Sequence, residues 1–246
     1  MRPVLATALL ASAAVAQTFV VDAGNGPGTN FTSIAAAVAT VPEGATLLVR
    51  SGSYAGFAVT RGVTILGDSG VAITGPVQVT ATTALQPVTL RNLQWSAFVN
   101  NQPPLELDSC QGAVLLESLQ LPPSPCVPSP LFGCGPIAGL SANQCDQLTI
   151  RDCALHSIFL NACDSVLEST TCLGQPAGVV NPSNGQVSPA SAGLLLTAGR
   201  LQIVGSTTHL VGGDGISGGL VQAPAAPAIQ TTGLVDLRLL DGTFAG

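Results

Sequence analysis

The stretches Val88 to Trp95 (VTLRNLQW) and Val114 to Leu121 (VLLESLQL) share one eight-residue pattern. It runs apolar, any, apolar, two polar or small residues, a small or apolar residue, any, then apolar or aromatic. Six imperfect copies surround them: Leu47 to Tyr54 (LLVRSGSY), Val63 to Gly70 (VTILGDSG), Leu148 to Leu155 (LTIRDCAL), Val166 to Leu173 (VLESTTCL), Leu201 to Thr208 (LQIVGSTT) and Leu237 to Phe244 (LRLLDGTF). Apolar residues at a period of two mark a half-buried strand. Each copy therefore predicts a short strand and a turn into the next one.

The copies start 16, 25, 26, 34, 18, 35 and 36 residues apart. So irregular a period argues against a leucine-rich or propeller array. It suits a parallel β-helix, in which coils stack at about 4.8 Å and the turns between strands accept insertions. The 16-residue step is short for a full coil, which predicts that the first two copies are different sides of one coil. A β-sandwich is the rival, since it also needs many short strands with Gly/Pro turns.

Upstream lies Asn30 to Val41 (NFTSIAAAVATV), closed by Pro42-Glu43-Gly44. Thr32 is placed to cap a short helix whose Ile34, Val38 and Val41 share one face. Such a helix would cover the open end of a solenoid, where backbone groups are otherwise unpaired. Phe244 is followed by no counterpart. Asn30-Phe31-Thr32 is formally a glycosylation sequon, but it overlaps the capping turn.

Before this segment, Met1-Arg2-Pro3 carries one positive charge, Val4 to Val15 is an apolar run, and Ala14-Val15-Ala16 supplies small-x-small before Gln17. This reads as a secretory signal peptide. The predicted organisation is a signal peptide over 1–16, a strand and capping helix over 17–45, and a parallel β-helix over 46–246 with a Pro/Cys-rich loop at about 122–136. No later membrane span is expected. The expected location is secreted or cell surface.

Composition narrows the partners. Of 246 residues only 8% are charged, and all seven basic residues are Arg, so a Schiff-base lysine, a phosphate-loop lysine and a lysine-rich nucleic-acid patch are excluded. A net charge of −6 and a pI near 4.5 oppose polyanion binding, so nucleic acid is not an expected partner. Seven cysteines in an exported chain suit disulfides, with the odd count leaving at least one over. Cys126 and Cys134 are the best local pair, bracketing seven residues of the Pro-rich excursion. No CxxC pair occurs, and neither His lies at a zinc-finger spacing from a Cys pair.

The run Val20-Val21-Asp22-Ala23-Gly24, then Phe31 to Val38, Pro42 to Arg50, Gly52-Ser53-Tyr54 and Val63 to Gly67, resembles the opening segment of the pectin-lyase-like superfamily, notably pectin methylesterases. The resemblance covers about residues 20–70. It implies a right-handed parallel β-helix and, more distantly, a carbohydrate ligand. The esterase motifs Gln-Asp-Thr, Asp-Phe-Ile-Phe-Gly and Gly-Arg-Pro-Trp do not occur. The Asn-Thr-Asp, Asp-Asp and Gly-His-Gly of polygalacturonases are absent too. Pectate-lyase-like elimination would need clustered acids for calcium and a basic residue.

Aligned copies give outward columns. The position after the second apolar residue reads Arg50, Leu66, Arg91, Glu117, Arg151, Ser169, Val204 and Leu240. Arg91, Glu117 and Arg151 would alternate in sign on successive coils, either as a surface ion-pair ladder or as an Arg platform for an acidic glycan. Cys145-Asp146 and Cys163-Asp164 occupy matching places, three residues before Leu148 and Val166 for the thiols. That brings Asp146 and Asp164 together as solvated turn acids or as a weak calcium or acid/base pair. Cys145 and Cys163 would form an inward thiol stack or a bridge, and Cys110 falls near them with a one-residue offset. His156 and His209 are turn residues that do not meet. Tyr54 and Trp95 read as corner packing.

The sequence thus supports an exported β-helix repeat protein with a structural, adhesive or weak glycan-binding role, in contact with a glycan or other cell-surface component. No cofactor other than calcium is expected. The uncapped last coil predicts self-association. The alternative is a polysaccharide-active lyase or hydrolase on acidic glycans.

Overall fold

Each repeat is a strand, a two-residue corner and the start of a second strand. In Val88 to Trp95, Val88 and Leu90 point inward and are fully buried, Arg91 points out, and Asn92 turns the chain at φ 54°. Leu93 and Trp95 then return to the core, 1% and 2% exposed. The same corner recurs as Ser118-Leu119, Asp152-Cys153 and Ser169-Thr170, whose first residues have φ 54°, 53° and 48° and whose second residues are buried. A left-handed residue is what lets a strand bend within two residues.

The computed structural model describes residues 17–96, 102–122, 138–174, 190–205, 207–212, 216–218, 221–223 and 225–240. The chain is mostly strand, stacked in parallel coils with three faces. Face 1 runs Thr18–Val21, Ala45–Val49, Val63–Gly67, Val88–Arg91, the C-terminal parts of Leu105–Glu117 and Leu140–Arg151, Cys163–Glu168, Gly199–Val204 and Val235–Leu240. Face 2 stacks Gly52–Tyr54, Val71–Ile73 and Gln94–Trp95, then, through Gln120, Ala154–His156, Thr171–Leu173 and His209–Val211. Face 3 stacks Phe57–Val59, Val77–Thr80, the N-terminal parts of the two long strands, Ile158–Asn161, Leu194–Leu196 and Ile229–Thr231.

These pairings are parallel, and among the described strands only Ile216–Gly218 with Val221–Ala223 is antiparallel. That removes the sandwich. The core lies between the faces, and each fully buried Leu or Ile, such as Leu90, Leu107, Leu116 or Ile150, contributes about 1.5–3 kcal/mol relative to exposure.

The register corrects three expectations. Ala45 pairs with Val63 and Leu47 with Ile65, so 18 residues make a complete three-sided coil and the first two repeats are separate coils. Leu148 pairs with Ser165, not Val166, because Ser165 is the buried position and its hydroxyl donates to the Arg200 carbonyl at 3.2 Å. The helix Ile34–Thr40 is capped by Ser33 instead of Thr32, with the Ala36 N–H donating to Ser33 Oγ at 3.4 Å. Its Ile34, Ala37 and Val38 are buried and it packs on Phe57–Val59.

The uneven spacing arises mainly in one connection, with a further contribution where face 3 returns to face 1 between Thr80 and Val88. The corner from face 1 to face 2 keeps two residues in the four central coils, while the connection from face 2 to face 3 varies. It takes one residue from His156 to Ile158 but runs from Leu121 to Leu140 and from Leu173 to Leu194 in neighbouring coils. Most of the Pro/Cys-rich loop, the segment 1–16 and Phe244 lie outside the described residues. Among the described residues no helix is long and apolar enough to cross a membrane.

Candidate functional site

The alternating column on face 1 forms. Arg91 Nε lies 3.3 Å from Glu117 Oε2, and Glu117 Oε1 accepts from Arg151 Nη2 at 2.7 Å and Nε at 3.2 Å. The Glu117 side chain is only 12% exposed between two Arg that are 56% and 39% exposed. Register places Glu168, not Ser169, beside Arg151, and Leu48, not Arg50, beside Leu66. Arg50 instead pairs with Asp22 at 3.1 Å. Both guanidinium groups of the expected platform are thus engaged by Glu117.

Asp146 and Asp164 line one shallow groove of about 210 Å³ on face 1, with Gln147, Thr149, Arg200 and Gln202. The next register position beyond Asp164 is Arg200, 3.5 Å from its carboxylate and 3.3 Å from that of Asp236. Hydrogen bonding and charge from Arg238, aided by Arg200, hold the Asp236 carboxyl below the usual range. Among the described residues no group of three or more His, Cys, Asp or Glu is placed to hold a metal ion.

Cys145 and Cys163 are free thiols, fully buried. Cys110 pairs in register with Cys145, and a shift in the ladder between Cys110 and Ala113 absorbs the extra residue that had suggested an offset. The neighbouring thiols, Cys110 first, push Cys145 up. Cys126 and Cys134 lie outside the described residues. His156 Nδ1 meets the Leu121 carbonyl at 3.0 Å, while His209 pairs with Thr171 on another coil. Tyr54 and Trp95 are buried at corners.

Face 3 holds what sequence reasoning missed. The outward residues Glu106, Ser141, Phe159, Leu195 and Gln230 form one register column. Phe159, Leu195, Ser141 and Gln230, with Ser157 and Pro103, line a cleft of about 400 Å³, within the size range of small-molecule sites. Phe159 is half-buried, with Ser141 and Leu195 on either side in register. The cleft borders the corner where the long connections leave face 2, and its described lining carries no ionisable side chain.

Two residues further along each strand stands a polar row: Asp108, Asn143, Asn161 and Thr197. Asn143 Nδ2 donates to Asp108 Oδ1 at 2.7 Å, Asn161 Nδ2 to Asn143 Oδ1 at 2.6 Å, and Thr197 Oγ1 to Asn161 Oδ1 at 2.5 Å. All the bonds point the same way along the stack, toward the Asp108 carboxylate, which strengthens each of them. The available signal was the spacing Asp108-Ser109-Cys110, Asn143-Gln144-Cys145 and Asn161-Ala162-Cys163. In each, the middle residue has positive φ, at 55°, 54° and 51°, and the Cys turns inward.

The stacked parallel coils fit the pectin-lyase-like β-helix that the opening segment resembles. A scan against protein-family models finds no match, and a search of curated proteins finds none. Among solved structures, that of pectate lyase Pel9A is similar over 93% of this chain and 78% of that one, at 8% identity and a TM-score of 0.36.

Proposed function

We propose that this chain is an exported repeat protein of the cell surface that binds glycan on face 3, its coils serving as a rigid scaffold. The observation that carries this reading is the face 3 cleft, where a half-buried Phe159 lies among apolar residues such as Ile158 and Leu195, interspersed with the Ser141 and Ser157 hydroxyls and the Gln230 amide, with no acid or base in the described lining. An aromatic edge or face suits the apolar side of a sugar ring, and the polar groups suit its hydroxyls. The absence of an ionisable group in that lining favours binding over cleavage. Export rests on the signal-like stretch over residues 1–16. Right-handed winding belongs to the same reading, because parallel crossover connections within one sheet are nearly always right-handed.

A second reading, a polysaccharide lyase or hydrolase, is favoured by the groove that gathers Asp146, Asp164 and Arg200. In that reading the two carboxylates would hold calcium and the Arg would face an acidic sugar.

Thermal shift of the purified chain against calcium and a panel of neutral and acidic polysaccharides separates these readings, because a ligand of the native state raises apparent stability. Stabilisation by a glycan, lost in Phe159→Ala and accompanied by no product release, supports binding on face 3. Product release abolished by Asp146→Ala or Asp164→Ala supports the enzyme instead and overturns the first reading.

A further inference from the structure

Resting on the glycan-binding reading of face 3, we infer that its ligand is a neutral saccharide and that uronic acids are turned away. The argument is charge complementarity. The six described arginines all lie off the strands of face 3: Arg91, Arg151, Arg200 and Arg238 on face 1, Arg50 beside Asp22, and Arg61 donating to the Val41 carbonyl at 2.8 Å. No Lys exists in the chain. The charged residues that do occupy face 3 are carboxylates. Glu106 stands in register with Ser141 at one side of the cleft, and Asp108 ends the amide row. A uronate seated over Phe159 would meet like charge and no cation, a repulsive element that discriminates without any loss of fit for the uncharged sugar.

The attractive side is built from donors. Asn143 and Asn161 each use one amide N–H to join the row. An amide nitrogen carries two, so the second N–H of each, with no partner among the described residues, can meet a hydroxyl of a sugar lying along the column. The row and the column that holds Phe159 run side by side, two residues apart on each strand, about 6.6 Å. Successive coils repeat this at about 4.8 Å, so the site extends along the stack from Ser141 through Phe159 to Leu195.

The test is calorimetric titration of the full chain with neutral hexasaccharides (cello-, manno- and xylo-oligosaccharides) and with hexagalacturonate at low salt. The expected result is that a neutral oligosaccharide binds at least about tenfold tighter than the uronate, with Phe159→Ala weakening it about tenfold. Added salt narrows the gap by screening Glu106 and Asp108. Ser141→Lys places a cation in the cleft and moves the preference toward the uronate. A uronate that binds wild type as tightly as the neutral sugars overturns this inference and leaves glycan binding standing. If no saccharide binds, or Phe159→Ala leaves binding unchanged while its thermal unfolding matches wild type, the face 3 reading itself falls.

Discussion

Glu117 and Arg151 stand in register on adjacent coils, and Glu117 Oε1 accepts two hydrogen bonds from the one guanidinium, at 2.7 and 3.2 Å. A second Arg, Arg91, approaches the other carboxylate oxygen. Replacing Glu117 by Gln leaves two cations facing each other across a neutral group. The expected loss is about 1 kcal/mol, small because both Arg are well exposed to screening water. Urea unfolding at low and high salt checks this, and the difference between variant and wild type should shrink as salt rises.

The Asp22 carboxylate accepts N–H bonds from Gly24 and Gly26, at 2.8 and 3.0 Å, and pairs with Arg50. These contacts, the Gly24 N–H foremost, hold its carboxyl below the ordinary value. A carboxyl depressed in the folded state adds stability above its unfolded pKa of about 3.9, and that contribution is lost as pH falls through the folded value. Wild type should therefore lose thermal stability below about pH 4. Asp22→Asn should show a flatter acid limb in the same melts.

Burial pushes the Cys153 and Cys172 thiols up to about 11 and about 12, and Cys145 is raised between its two neighbours. Thiolate is the reactive form. Hydrogen bonding with Cys145 lowers Cys110 and Cys163 instead, so it is their complete burial that shields these two. In native buffer at pH 8, iodoacetamide should spare all five described cysteines, and denaturant should add five modifications at Cys110, Cys145, Cys153, Cys163 and Cys172. Intact mass and peptide mapping read this. A gain of three would reveal a bridge between two of them.

Leu148 is 1% exposed in a central coil, whereas Leu237, its counterpart on the last described strand, is 39% exposed. Leu148→Ala should cost about 2–5 kcal/mol. Leu237→Ala should cost under about 1 kcal/mol, since little apolar area returns to water. Equal losses in chemical unfolding would mean that the last strand is covered in solution.

Ser118 turns the corner at φ 54°. A β-branched residue is strained there, so Ser118→Val should lower stability by about 1–2 kcal/mol, while Ser118→Gly should match or exceed wild type. Melting temperatures of the two variants provide the comparison.

The strands and their inward faces were legible in the sequence. Val63/Ile65, Val88/Leu90, Val114/Leu116, Leu148/Ile150 and Leu201/Ile203 are all buried as the alternation requires, because burial of every second side chain is imposed on each strand locally. The pairing of Arg91, Glu117 and Arg151 was legible for the same reason, as equivalent positions in the repeat stack. Where the inward residue was small or polar, the pattern misled. Ala45 and Ser165 hold the first inward positions that the pattern assigned to Leu47 and Val166, Leu47 being the second inward residue of its strand, and only the coil above, which supplies a carbonyl for the Ser165 hydroxyl, makes a buried serine acceptable.

The cleft of face 3 emerged only from the tertiary structure. Glu106, Ser141 and Phe159 each lie four residues before an inward Cys, a spacing present in the sequence, but they and Leu195 follow connections of unequal length, and the long strands 105–117 and 140–151 pass through the corner between faces without a break that would mark where one side ends. Stacking brings these residues into one column because backbone hydrogen bonds align coil on coil regardless of how much chain intervenes. The sequence by itself determined which atoms must leave water. The register between coils determined which of the remaining side chains meet on the outside, because that depends on pairing across 18 to 36 residues of intervening chain.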